Sequence, residues 1–237
     1  MKILSIESSG QVASVAIAED DKILGEYSIN YKKTHSETLL PMVDEVVRMT
    51  ETKLEEIDAI AISKGPGSFT GLRIGSATAK GLALALNKPI IPVPTVDGLA
   101  FQMWGNPSLI CPIMDARRHQ VYTGIYHFEG DDFVVDEAQN LCLIEDLVEH
   151  LNKLGKPVVF LGDASVLHCE YIKAQSTIPV TFAPTNMREQ SAAAVALLGK
   201  QLFAQGVSES AAAHKPDYLR ASQAERELGN KAKDFRI

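Results

Sequence analysis

The residues best suited to chemistry form a glycine-rich loop between a predicted strand and a predicted helix. The loop reads Gly65-Pro66-Gly67-Ser68-Phe69-Thr70-Gly71. The backbone N–H groups of such a loop, at a helix N-terminus, can bind an anion such as phosphate. The spacing differs from that of the Walker A and G-x-G-x-x-G motifs. The structural alternative is a tight turn that lets a helix of small residues pack closely against the sheet.

A second polar turn, Glu7-Ser8-Ser9-Gly10, lies between the first two predicted strands. Its hydroxyl groups can contact phosphate, but serine and glycine are also favoured in turns for conformational reasons. Both interpretations stay open. The candidate phosphate-binding residues of the two turns are therefore Glu7, Ser8, Ser9, Gly65, Gly67, Ser68 and Gly71.

Other kinds of site have little support in the sequence. The cysteines Cys111, Cys142 and Cys169 are widely spaced without a C-x-x-C pair, so we predict small buried hydrophobic residues in a reducing compartment. His35 has no second histidine at metal-ligand spacing, and we predict no metal site. Asp163 follows Gly162 at the predicted start of a helix, where an aspartate more often caps the helix than acts in catalysis.

Composition narrows the class of protein. The chain has 237 residues, 46% of them hydrophobic, and a net charge of −7, which disfavours autonomous binding to a nucleic acid. The longest uncharged candidate for a membrane span, residues 98–114, is interrupted by prolines and falls short of the roughly 20 apolar residues required. Glu7 ends the first apolar run too early for a signal peptide. We therefore expect a cytoplasmic protein without a membrane segment.

The elements that must position the two turns alternate between strands and helices. Hydrophobic alternation predicts three antiparallel strands, and Thr34 with Glu37 forms a capping box that starts a helix containing Pro41. The second half is less clearly patterned, with an Ala-rich helix near its end. The predicted strands are 2–7, 12–18, 23–31, 58–63, 89–93, 109–113, 120–128 and 157–161, and the predicted helices are 34–49, 72–87, 144–154 and 188–204, followed by a linker at 206–214 and a frayed tail at 230–237. This order predicts an α/β architecture of mixed sheets.

The helix after the glycine loop carries Gly75, Ala79 and Ala83 at a spacing of four, which places a ridge of small residues on one helix face. Such ridges allow another helix or a sheet to approach closely. The ridge can face the protein's own sheet or a second molecule, and the spacing does not decide between them.

Four segments, in order from the first strand to the tail, resemble the bacterial TsaB (YeaZ) family: residues 3–9, 35–41, 65–75 and 215–220. The resemblance implies the actin/Hsp70/sugar-kinase (ASKHA) fold, an α/β fold of two lobes, here residues 1–105 and a reduced lobe at 106–237. It also implies a non-catalytic scaffold subunit in the formation of N6-threonylcarbamoyladenosine beside the tRNA anticodon. The implied partners are the catalytic paralogue TsaD and the ATPase TsaE, with a homodimer when TsaD is absent and tRNA reached only through the complex.

The chain departs from the TsaD family where that family holds its metal and its acidic residues. Gln11 and Val12 stand where TsaD has two acidic residues, and Thr95 and Leu99 stand where TsaD has a histidine pair. The resemblance therefore implies no bound metal and a vestigial phosphate loop. It implies no tightly bound cofactor, with ATP or ADP as a candidate ligand only at the subunit boundary.

The resemblance also implies a partner interface on the two N-terminal helices, formed by Leu39, Leu40, Val43, Gly75, Ala79 and Ala83. Two other functions remain as alternatives. One is a stand-alone ATP-dependent phosphotransferase or hydrolase of the same fold, and the other is a free-standing binding module.

Overall fold

The computed structural model describes residues 1–219 and contains two five-stranded mixed sheets. The first sheet has the order β3-β2-β1-β4-β5, with β1 antiparallel to β2 and parallel to β4. Its strands are β1 (Lys2–Glu7), β2 (Ala13–Glu19), β3 (Lys22–Ile29), β4 (Ala59–Gly65) and β5 (Ile90–Pro94). The three-stranded meander predicted from alternation is present.

Two long helices cover one face of this sheet. They are α1 (His35–Met49) and α2 (Phe69–Leu86), and α1 begins at the predicted capping box of Thr34 and Glu37. The helix continues through Pro41, which lies on its exposed side. A short 3-10 turn (Leu54–Glu56) leads into β4, and α2 begins three residues before the predicted start because the Ser68 side chain caps it.

The second sheet repeats the order of the first, as β8-β7-β6-β9-β10. Its strands are β6 (Leu109–Asp115), β7 (Gln120–Glu129), β8 (Asp132–Leu143), β9 (Val158–Leu161) and β10 (Val180–Phe182), and helix α4 (Ile144–Leu154) lies between β8 and β9 as α1 lies between β3 and β4. Short helices stand in the place of α2: α5 (Ala164–Leu167) and α6 (Cys169–Gln175). The second lobe is thus a reduced version of the first, which confirms the expected two-lobe architecture.

The two lobes exchange helices. Helix α3 (Thr95–Phe101) packs against the second sheet, in a cluster with Tyr126 and Leu161. After the single turn α7 (Thr185–Arg188), helix α8 (Ala192–Ala204) returns to the first sheet and packs on Ile3 and Ile91. The sequence-based division at residues 105/106 falls between the sheets, but its assignment of α8 to the second lobe is wrong. The exchange buries apolar faces of both sheets.

Within the described residues 1–219, no helix is long and apolar enough to cross a membrane. Strand β8 was absent from the sequence-based prediction, because most of its residues are partly or fully exposed and its pattern is polar. The predicted tail at 230–237 lies outside the described residues.

Candidate functional site

A cleft of about 520 Å³ lies between the two lobes. The first lobe contributes both predicted turns, through Ser9, Gly10 and the loop from Gly67 to Thr70. The second lobe contributes the turn after β6 and the start of α5. The remaining wall is formed by Asp217, Tyr218 and Leu219. The sequence-predicted turns are therefore brought together, at the carboxyl ends of the parallel strands β1 and β4.

Glu7 is fully buried at the end of β1 rather than exposed to the cleft. Its carboxylate accepts hydrogen bonds from the backbone N–H of Ser9 at 2.6 Å, from the Ser9 hydroxyl, and from the Ser63 hydroxyl. Burial raises the pKa of Glu7, while the hydrogen bonds from Ser63 and Ser9 and the charge of His35 oppose that shift. The carboxylate thus connects the end of β1 to β4 and to the first turn through hydrogen bonds.

The glycines of the loop are required by close backbone approach. A Cβ atom at Gly67 would overlap the Ser9 carbonyl oxygen, and one at Gly71 would overlap the Ser8 carbonyl oxygen. Gly65 has a φ of +126°, and a Cβ there would overlap the Asp217 carbonyl oxygen. The structural alternative for this loop therefore has direct support, since the glycines let three backbone segments interlock.

Several donors of the predicted phosphate loop already have protein acceptors. The Ser68 N–H donates to the Ser9 carbonyl oxygen at 2.7 Å, the Gly71 N–H donates to the Ser68 hydroxyl at 3.3 Å, and the Ser8 hydroxyl donates to the Gly71 carbonyl oxygen at 2.9 Å. An anion would have to displace these bonds. In this structure the three donors take part in a junction between the two turns.

The C-terminal strap (residues 209–219) completes this junction. The Asp217 N–H donates to the Lys64 carbonyl oxygen at 2.6 Å. The Tyr218 ring packs on Phe69, with 4.8 Å between ring centroids, and its hydroxyl accepts from Arg73. Sequence reasoning used residues 215–220 only as a family motif and missed this contact, because local patterns carry no information on where a tail returns.

A set of interlobe hydrogen bonds holds the other side of the cleft. Gln139 of β8 donates to the Gly65 carbonyl oxygen at 3.1 Å and accepts from the Val96 N–H at 3.3 Å. The Tyr126 hydroxyl donates to Asp97 at 2.7 Å. Burial raises the pKa of Asp97, against the opposing effect of that hydrogen bond. These bonds connect α3 and β4 with the second sheet.

Thr95 and Leu99 are buried in the core, and Thr95 accepts from the Gly65 N–H at 3.1 Å. In residues 1–219, no group of three or more His, Cys, Asp and Glu side chains has a geometry suited to a metal ion. Asp163 caps α5 by accepting from the Ala164 N–H at 2.8 Å, as predicted, and also from the Asp115 N–H at 3.0 Å. Burial raises the pKa of the Cys111 thiol to about 12, which fits an unreactive buried side chain.

The predicted partner interface requires a correction. Ala79 is 0% exposed and Ala83 is 2% exposed, in one apolar cluster with Leu39 and Val43, and Gly75 faces Ser8 and Ile62. The ridge thus packs inside the first lobe, because the apolar surface of its own sheet covers it. Of the six predicted residues only Leu40 is exposed, at 60%.

A different face of α2 is exposed. Arg73, Ala77, Gly81 and Leu84 follow one another at spacings of four, four and three, and all four are exposed. Leu84 is 67% exposed, and a Cβ at Gly81 would meet no atom within 4 Å. We call this surface, together with Leu40 of α1, the outer face. Its central residues, Ala77 and Gly81, are small, and Leu40 and Leu84 add apolar side chains.

The repeated sheet order and the interlobe cleft define a two-lobed protein of the actin/Hsp70/sugar-kinase class. A ROK hexokinase from Thermus thermophilus shares this fold, with a TM-score of 0.51 and 12% identity over 87% of this chain and 100% of that one. A Pseudomonas aeruginosa protein described as similar to peptidase YeaZ superposes with a TM-score of 0.79, at 23% identity over 92% of this chain and 99% of that one.

Sequence comparison identifies the family. The profile described as "TsaD: tRNA N6-adenosine threonylcarbamoyltransferase" matches residues 22–228. The tRNA threonylcarbamoyladenosine biosynthesis protein TsaB of Bacillus subtilis (strain 168) is 34% identical over 95% of this chain and 96% of its own length. The chain belongs to the TsaB (YeaZ) family.

Proposed function

We propose that this chain acts in the biosynthesis of threonylcarbamoyladenosine in tRNA, as a non-catalytic subunit that binds and activates a TsaD-type transferase. The observation that carries the proposal is the outer face. Ala77, Gly81 and Leu84 are exposed on one face of α2, so a helix of a similar lobe can approach closely. Leu40 adds an exposed apolar side chain on α1, which packs beside α2. The name of the Bacillus relative and the match to the TsaD profile support the choice of pathway and partner.

The alternative of a stand-alone phosphotransferase or hydrolase has less support. In the glycine loop, the Ser68 N–H donates to the Ser9 carbonyl oxygen and the Gly71 N–H donates to the Ser68 hydroxyl. The buried Glu7 carboxylate already accepts three hydrogen bonds. On this proposal the isolated chain binds ATP or ADP only weakly. The candidate site for a nucleotide is the subunit boundary of the assembled complex. Titration of the isolated chain with ADP tests this point, and tight stoichiometric binding would contradict it.

Ala77→Glu tests the outer face. Ala77 is exposed, and Arg73 and Lys80 lie within one turn of it, so the monomer tolerates a glutamate with a change of about 0.5 kcal/mol or less. In an assembled complex the same glutamate is desolvated, and we expect the affinity for the transferase to fall at least tenfold. Co-purification and tRNA modification with purified subunits measure the effect.

Ala174→Glu is the matched control, because Ala174 is an exposed helical alanine of α6 in the second lobe. It should leave assembly and modification at wild-type levels. Wild-type assembly by Ala77→Glu would exclude the outer face as the interface. Ala79→Glu is unsuitable for this purpose, since Ala79 is in the core and its substitution tests folding.

The same face is proposed to form a two-fold homodimer when the transferase is absent, through one patch used by both copies. The transferase should then compete with the homodimer, and Ala77→Glu should yield a monomer in sedimentation experiments. A dimer that persists in Ala77→Glu would place the self-association elsewhere.

In this proposal a TsaE-type ATPase joins the assembled pair. Omission of each subunit in turn from the modification assay tests whether that subunit is required.

A further inference from the structure

The turn between β6 and β7 contains three consecutive residues in the left-handed region. The φ angles are 64° at Arg117, 58° at Arg118 and 60° at His119, and none of them is glycine. Left-handed backbone is unfavourable for each such residue, and runs of it are rare. Strain of this kind persists only where the surroundings enforce it, and it is concentrated at functional sites. We call these residues the arginine turn.

The surroundings of the arginine turn do enforce its shape. The Ala116 N–H donates to the Gln120 carbonyl oxygen at 2.9 Å, and the Gln120 N–H donates to the Arg117 carbonyl oxygen at 3.2 Å. The Asp115 carboxylate accepts from the Arg117 N–H at 2.7 Å. The backbone is thereby held in one geometry, and the side chains project from a fixed base.

The two arginines are available to a ligand. Both are exposed, and neither forms an ion pair with any other residue of the described part of the chain. His119, the third residue of the turn, lies near α4 and α5. Its Nδ1 atom is 3.4 Å from Glu145, and its ring centroid is 6.3 Å from that of His168. In a chain of net charge −7, these are two adjacent guanidinium groups without an ion-pair partner among residues 1–219.

The position of the turn selects the kind of anion. Arg117 lines the interlobe cleft, whereas Arg118 and His119 do not. Of the two arginines only Arg117 can meet a small anion inside the cleft, which Asp115 and Asp163 also line, whereas a polyanion that extends beyond the cleft can meet both. Guanidinium groups bind phosphate oxygens in bidentate fashion, which favours a phosphodiester backbone.

We propose that the arginine turn contacts the phosphodiester backbone of the substrate tRNA in the assembled complex. The inference rests on the proposed function, because the RNA is brought to this surface by the complex and the chain's overall charge opposes binding without it. Arg117 and Arg118 position the RNA and take no part in the chemical step. A transient contact of this kind contributes affinity that depends on salt concentration.

The test is Arg117→Gly/Arg118→Gly in the complex with the transferase. Glycine adopts positive φ without strain, so the double variant removes both charges while the fold is retained or stabilised. With an unmodified tRNA transcript, we expect affinity to fall about tenfold at moderate salt. The slope of log affinity against log salt concentration should become less steep by about one to two units. Arg117→Lys/Arg118→Lys, which keeps both charges, should retain most of the salt dependence.

Lys153→Ala/Lys156→Ala is the charge-matched control. Both lysines are exposed and lie at or beyond the end of α4, whose other end adjoins the arginine turn through the bond from the Ile144 N–H to the His119 carbonyl oxygen. The control should bind tRNA as the wild type does. Equal loss in the control would show a general charge effect and overturn the inference.

Four other results would also overturn it. Wild-type tRNA affinity and salt slope in the glycine variant would show that the turn makes no RNA contact, while assembly and the proposed function stand. Lost assembly in that variant would assign the turn to a protein partner, and lost ADP binding with unchanged tRNA binding would assign it to a nucleotide. Failure of the wild-type chain to assemble with the transferase would refute the proposed function itself, together with this inference.

Discussion

Glu7 shows how a single buried carboxylate can organise a turn. Its oxygens accept from Ser9 and Ser63, and these bonds hold the end of β1 against β4. Burial nevertheless raises its pKa above the ordinary value near 4.5. The folded chain thus keeps the proton to higher pH than the unfolded chain. The stability from this group is fully present below the unfolded pKa and is lost as pH rises through the folded pKa.

We expect Glu7→Gln to flatten the dependence of stability on pH. The glutamine oxygen can accept from Ser9 and its amide can donate to Ser63, so the contacts of the neutral form are kept. As pH rises above the ordinary value near 4.5, the wild type should lose more free energy of unfolding than the variant does, as measured by urea titration at a series of pH values. Glu149→Gln, at an exposed residue, is the control and should retain the wild-type slope. A wild-type slope in Glu7→Gln would contradict the assignment.

At the scale of the element, α2 uses glycine for two different purposes. Gly71 faces the backbone of the first turn, where a Cβ would overlap the Ser8 carbonyl oxygen. Gly81 lies on the outer face, where a Cβ would meet nothing within 4 Å. The same substitution on one helix should therefore have opposite effects on stability.

We expect Gly71→Ala to destabilise the chain by about 1–3 kcal/mol, because the backbone of the first turn must move. Gly81→Ala should stabilise it by about 0.5–1 kcal/mol, since alanine has the higher helix propensity and no clash results. Thermal unfolding of both variants at low protein concentration measures the difference. Destabilisation by Gly81→Ala in the monomer would show that α2 is not as exposed as described.

At the scale of the whole molecule, the lobes are joined by exchanged helices and by hydrogen bonds. The exchanged helices α3 and α8 cross between the sheets, and Gln139 connects β8 to β4 and α3. These contacts connect the two sheets across the cleft.

Gln139→Ala should weaken this connection. The Gly65 carbonyl oxygen and the Val96 N–H lose their partner, at a cost of about 1–3 kcal/mol. Hydrogen exchange should become faster at Val96 and in β4 while the outer strands of both sheets are unchanged. Asn140→Ala, at the exposed neighbour on the same strand, should have little effect. Uniform acceleration throughout the chain would indicate global unfolding rather than loosening between lobes.

Local sequence patterns determined much of this protein. Alternation predicted β1 to β3, the Thr34 capping box predicted the start of α1, and the glycine block identified the family. These features depend on neighbouring residues, so the sequence carries them directly. Strand β8 escaped prediction because its exposed residues lack an apolar pattern.

Only the tertiary structure decided what covers each surface. The spacing of Gly75, Ala79 and Ala83 defines a helix face, but whether sheet or partner lies against it depends on residues distant in sequence. The glycine loop likewise fits an anion or a second backbone, and the structure places the backbone of Ser8, Ser9 and Asp217 against its glycines. Periodicity shows which side chains lie on the same face of a helix. Which element packs against that face depends on how distant parts of the chain fold back, as α8 and the C-terminal strap do.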